Sequence, residues 1–181
     1  LAAVPIALAS LALFALIQKS LHLVWHTIPR EAGWAEPTWW YVLAVPVVGG
    51  IITAVMLARM PAGEAATDGT SVQPTPVRAI GWLMAAAVGT LAGGLVLGPE
   101  APLLALGLTL GALAAKFSKQ PGQEWATAVT LAGAFTALST VFGSPFVTLL
   151  LVLELTAAAA GPLPARKFLT MLLPGFLAAG V

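Results

Sequence analysis

The stretch Gly94-Leu95-Val96-Leu97-Gly98-Pro99-Glu100-Ala101-Pro102 sets one carboxylate between two apolar runs. Residues 79–97 and 101–115 contain no ionisable side chain, so Glu100 falls near the middle of a hydrophobic region. An ionisable group at membrane depth is costly and marks a functional candidate. Gly93, Gly94 and Gly98 weaken the end of the first run, Pro99 cannot continue it as a donor, and Pro102 suits the first turn of a new helix. One helix stops here and another starts. The start of the second leaves up to four backbone N–H groups without helical partners, at the positive end of the macrodipole. These donors can serve the Glu100 carboxylate itself, or a small anion once that carboxylate is protonated and moves away. Broken helices whose N-termini face an anion near the midplane are a transporter device. The plainer reading is an acid capping its own helix.

The rest of the composition agrees with a bilayer. Hydrophobic residues make up 59% of the 181 and charged residues only 8%, with a mean hydropathy of +0.96; soluble domains carry roughly 25% charged residues. A net charge of +1 gives no basic footprint for nucleic acid. The absence of cysteine excludes disulfides and thiolate metal sites. No set of nucleophile, base and oxyanion donors and no cofactor motif emerges, so an enzyme is the weakest reading.

From the N-terminus, residues 1–28 read as a first helix, turning amphipathic through Lys19, His22, Trp25 and His26, with Trp25 at an interface. His22 and His26 have the spacing of metal ligands but no third ligand accompanies them, so no metal is expected. Residues 29–37 read as a loop and Trp39-Trp40-Tyr41 as an aromatic belt. A second span covers residues 39–60, with Gly49-Gly50 permitting close helix approach. The polar stretch 61–76 reads as a linker or a short re-entrant helix. Arg59 and Arg78 flank it, against Arg30 alone before the second span, which places this stretch in the cytoplasm. Runs over 77–97 and 102–115 each contain a small-xxx-small pair, Gly89 with Gly93 and Gly107 with Gly111, the spacing that lets helix backbones touch in lipid.

A fifth helix, 125–141, stops at Phe142-Gly143-Ser144-Pro145, where Pro145 opens the next helix and the Ser144 hydroxyl caps it. No His or Lys lies near in sequence to make Ser144 a nucleophile. The sixth helix carries Glu154, a second acid within an apolar run. Residues 161–167 break the chain, and a seventh apolar run continues to the last residue. The expectation is an all-α polytopic membrane protein, one transmembrane domain over residues 1–181 with about seven helices, some broken or re-entrant, and a piece of a longer protein.

Gly98-Pro99-Glu100-Ala101-Pro102 resembles the Gly-Arg/Lys-Glu-Gly-Pro signature of the CLC family of voltage-gated chloride channels and chloride/proton exchangers. Residues 132–137, Phe142-Gly143-Ser144-Pro145 and Leu153-Glu154-Leu155 are similar to that family's Gly-Ala-Ala-Ala-Gly, Phe-Asn-Ala-Pro and Glu-Glu runs. Pro76-Val77-Arg78 and the segment from Pro46 to Gly50 also fit. The resemblance covers nearly the whole chain and the first half of the family's inverted-repeat fold. It implies that Glu100 is the gating carboxylate, that Gly98, Glu100 and Ala101 surround the anion through backbone N–H groups, and that Glu154 is the candidate for a proton pathway. It further implies chloride as substrate with no cofactor, a multi-pass protein of the plasma or inner membrane, and a homodimer joined around Glu154 and after Pro164. The second half of the pathway would come from elsewhere.

Four departures stand out. Pro99 replaces the family's basic residue and Ala101 its glycine. Pro61-Ala62-Gly63-Glu64-Ala65 lacks the anion-holding serine of the family's Gly-Ser-Gly-Ile-Pro. Leu155 takes the place of the second acid, and a leucine cannot carry a proton, which favours channel-like conduction over proton exchange. The alternatives are a chloride/proton antiporter, a secondary transporter using Glu100 as a proton or cation carrier, and a membrane scaffold in which the acids only cap helices.

Overall fold

The computed structural model describes residues 3–61, 74–95, 98–118, 122–144, 146–151 and 154. Apolar runs without water as a partner must satisfy their backbone internally, and the described residues do so as helices. These are α1 (Ala3–His22), a π-helical turn (Leu23–Thr27), α2 (Ile28–Glu31), α3 (Trp39–Ala58), α4 (Val77–Ala92), α5 (Glu100–Phe117) and α6 (Gln123–Phe142). Residues 146–151 and 154 are helical as well. The segments Ala3–Glu31, Trp39–Ala58, Glu100–Phe117 and Gln123–Phe142 are each long and apolar enough to cross a membrane. On α3, Val42, Leu43, Val47, Val48, Ile51, Ile52 and Val55 are exposed, a face that suits lipid. The chain is an all-α polytopic membrane protein.

Two helix pairs are closed by glycine. In the α3–α4 pair a Cβ on Gly49 would lie 2.8 Å from the Gly89 carbonyl and 2.9 Å from Gly93 Cα. The neighbouring Gly50 faces open space, so only one of the two glycines makes the close approach. The Thr53 and Thr90 hydroxyls meet across the same seam at 2.7 Å, and Thr90 also donates to the Ala86 carbonyl. In the α5–α6 pair, Gly107 sits against Ala134 and the Gly133 carbonyl, and Gly111 against Val129 and Thr130. Both small-xxx-small pairs of the sequence are therefore packing surfaces, as lipid-embedded helices require. Helix α1 packs against α4, α5 and α6. The shared core gathers Leu13 and Ile17 of α1, Leu91 of α4, Leu103, Leu104 and Leu108 of α5, and Leu131, Ala134 and Leu138 of α6.

The first helix does not end at Ile28. The helical path continues to Glu31 through the π turn, and residues 29–31 are helix where a loop is expected from the prolines. In the π turn the Ile28 N–H bonds to the Leu23 carbonyl, five residues back. Continuing that register, Pro29 has no N–H to offer the Val24 carbonyl, and the Tyr41 hydroxyl donates to it instead. The proline is accommodated because a tyrosine from the next helix supplies the missing donor. The readings of residues 62–73 and of the seventh helix after Pro164 fall outside the described residues.

Candidate functional site

Helix α4 ends at Ala92, five residues before the Leu97 end read from the apolar run, at the first of the glycines that weaken it. Gly93 closes it and Gly94 adopts φ +83°; the Gly94 N–H bonds to the Leu91 carbonyl and the Leu95 N–H to that of Thr90. This is the Schellman arrangement, which needs a left-handed residue at the position glycine occupies. After Leu95 the described chain resumes at Gly98, again left-handed at φ +69°, and Pro99 caps α5.

The depth of this break follows from a bond at the other end of the same helices. The Thr109 hydroxyl of α5 donates to the Thr75 carbonyl, just before α4, at 3.0 Å. Glu100 lies nine residues from Thr109, about 13 Å along the helix axis, whereas α4 extends about 24 Å beyond its own start. Glu100 thus stands about 13 Å along α5 from the Thr109–Thr75 bond, and Leu91 in the last turn of α4 shares the core with Leu103 and Leu104 in the first turns of α5.

The donor set at the start of α5 is smaller than the four a helix usually offers. Pro99 and Pro102 have no N–H, and the Leu103 N–H bonds to the Pro99 carbonyl at 3.1 Å. The N–H groups of Glu100 and Ala101 remain, without bond partners among the described residues. The Glu100 side chain folds back over Gly98, its carboxylate filling the space a Cβ at residue 98 would need. No hydrogen bond holds that carboxylate among the described residues, and Glu100 is only partly buried. Gly98, Glu100 and Ala101 therefore share one small region, with two backbone donors and one carboxyl group.

The close contacts of Gly107 with Ala134 and of Gly111 with Thr130 fix an antiparallel register. Carried on toward the start of α5, it sets Glu100 level with Val141 and Gly98 level with the end of α6. Gly143 closes α6 in the left-handed region at φ +61°. Ser144 then accepts from the Val147 N–H through its hydroxyl at 3.5 Å and from the Thr148 N–H through its carbonyl at 3.3 Å, the capping role its sequence position predicts. Both helix breaks of the sequence thus lie at one depth. Glu154 is exposed, and Leu155 lies outside the described residues.

Trp25 is the residue whose place the sequence does not reveal. Its indole N–H donates to the Ala92 carbonyl at 3.0 Å. Its ring lies against Gly94, where a Cβ would come within 2.6 Å of Cζ2, and meets Tyr41 edge-on with centroids 6.1 Å apart. The His22 and His26 rings lie with centroids 5.2 Å apart and planes tilted by 32°. Among the described residues no group of three potential ligands could hold a metal ion.

The chain is similar to curated proteins named "Putative ion-transport protein YfeO". Those of Escherichia fergusonii and of Escherichia coli O17:K52:H18 are each 29% identical to it over 179 residues, covering 93% of this chain and 42% of the relative. One from Shigella boydii serotype 4 has the same identity and coverage. The chain thus spans 42% of the length of the curated relatives it matches. No protein-family profile and no solved structure matches it.

Proposed function

We propose that this chain forms half of an anion pathway of the CLC type, in which Glu100 is the gate. The observation that carries the reading is the Glu100 carboxylate lying over Gly98 at the start of α5, beside two backbone N–H groups without partners among the described residues. The names of the relatives support ion transport across a membrane as the general activity. The anion preference comes from the chemistry of the site: backbone N–H groups at a helix N-terminus attract negative charge. A carboxylate beside them competes with a permeant anion for the positive end of the helix, and protonation removes its charge. Chloride, small and compact, is the substrate that two donors accommodate.

The same reading makes the pathway channel-like. Glu154 has Leu155 beside it where coupled exchange would use a second acid, and leucine carries no proton. The other half of the pathway belongs to a further part of the full-length protein, which assembles as a homodimer in the plasma or inner membrane.

The test is chloride efflux from liposomes containing the full-length protein, with external pH recorded at the same time, for wild type, Glu100→Gln and Glu100→Ala. Efflux that changes with either substitution, without stoichiometric proton movement, is the expected result. Proton movement in fixed ratio to chloride would make the protein an antiporter. Folded protein with no chloride flux in any variant would favour a scaffold or a different ion.

A further inference from the structure

We propose that Trp25 is a positioning residue for the break that carries Glu100, acting through the C-terminal end of α4. This rests on the reading of Glu100 as an anion gate. Three contacts define the device. The indole N–H of Trp25 holds the Ala92 carbonyl, one of the carbonyls that the end of α4 leaves without an intrahelical donor. The ring covers Gly94, the left-handed residue on which the chain turns toward Gly98. The turn bearing Trp25 is itself fixed from a third helix, because the Tyr41 hydroxyl takes the Val24 carbonyl that Pro29 leaves without a donor.

The π turn is what brings this about. One extra residue per turn rotates the following side chains relative to a regular α-helix, and such insertions recur at functional sites because they re-aim individual residues. Here the re-aimed residue reaches the end of α4 while α1 stays packed in the core through Leu13 and Ile17. Gly94 in turn is only four residues before Gly98. Leu91, in the last turn of α4, shares the core with Leu103 and Leu104 in the first turns of α5, so a shift of the α4 end reaches the place where the Glu100 carboxylate rests and changes how tightly the gate and its anion are held.

The experiment measures chloride and nitrate efflux from liposomes containing the full-length protein as wild type, Trp25→Phe, Glu100→Gln and the double variant. The ratio of the two fluxes does not depend on how much protein is folded, so it separates positioning from general damage. Trp25→Phe keeps an aromatic ring and loses the N–H donor, and the expected result is a several-fold fall in the chloride-to-nitrate ratio. In the Glu100→Gln background the same substitution is expected to change the ratio far less, because the gate whose position it sets has already been altered. An unchanged ratio with lower total flux would reduce Trp25 to a packing residue and overturn the proposal. So would an equal change in both backgrounds, which would place its action apart from Glu100. Fluxes untouched by Glu100→Gln alone would sink the gating reading itself, and this proposal with it, before any Trp25 variant is considered. Should Trp25→Phe not assemble, Tyr41→Phe loosens the same turn by one hydroxyl and is held to the same outcomes.

Discussion

The carboxylate of Glu100 occupies the space above the α-carbon of Gly98 that any other residue would fill with its side chain. Glycine is required at this position twice over, for its left-handed backbone at φ +69° and for the room it leaves the Glu100 carboxylate. Gly98→Ala must therefore displace the carboxylate and carry a backbone penalty of about 1–2 kcal/mol. The expected outcome is raised chloride efflux that Glu100→Gln no longer alters, measured on the full-length protein in liposomes. Efflux that stays at the wild-type rate and still responds to Glu100→Gln would show that the carboxylate does not need this resting place.

The α5–α6 seam makes a prediction about stability that is independent of any transport reading. A Cβ on Gly133 would strike the Gly107 carbonyl, with Gly111 Cα only 2.8 Å away, and backbone atoms cannot step aside as a side chain can. Gly133→Ala is expected to cost about 1–3 kcal/mol through overpacking, read as a lower thermal unfolding midpoint in detergent. Gly50→Ala, whose Cβ meets open space, is the control and should hold or raise the midpoint, since alanine favours a helix interior over glycine. Equal midpoints for the two variants would contradict the packing described.

How much of this was legible in the residues alone is clearest from the two prolines that behave differently. Around Glu100 the glycines and prolines act on their own neighbours, so the end of α4, the start of α5 and the candidate carboxylate could all be placed from local chemistry. Gly107, Gly111 and Gly49 were likewise readable as packing positions, although which of Gly49 and Gly50 is used depends on the facing helix. Pro29 is the opposite case. Its missing donor is supplied by Tyr41, 17 residues away from Val24, and no local pattern announces that bond. Trp25 was readable only as an interfacial aromatic for the same reason, since its partner Ala92 lies 67 residues on. Of the four N–H positions at the start of α5, residues 99–102, two are prolines, which leaves the donors of Glu100 and Ala101.

The threonine contact between α3 and α4 is a third testable relationship. Thr53 and Thr90 share a 2.7 Å contact, and Thr53 also reaches the Ala86 carbonyl at 3.2 Å. Interhelical polar contacts of this sort average about 0.6 kcal/mol in double-mutant cycles. Thr53→Val and Thr90→Val, singly and together, should give a coupling of that size in unfolding experiments on the detergent-solubilised protein. Strict additivity would mean that each hydroxyl is satisfied by its own helix, through Gly49 and Ala86 respectively.

The number of donors at the start of α5 yields a prediction in the direction of gain. Pro102 stands at the third helical position, where most residues would present an N–H toward the same end of the helix as Glu100 and Ala101. Pro102→Ala adds that donor without adding a charge and removes a rigid ring whose φ already suits the helix. A hydrogen bond to a charged partner contributes about 1.5–3 kcal/mol, so chloride binding to the full-length protein, measured by calorimetry, should tighten by roughly tenfold or more. Tighter binding also slows release, and a pathway conducts only when its ion can leave; the same variant should therefore bind chloride better and pass it more slowly. An unchanged affinity would mean that the anion does not rest against the α5 N-terminus, and the donors of Glu100 and Ala101 would then serve only to receive the carboxylate.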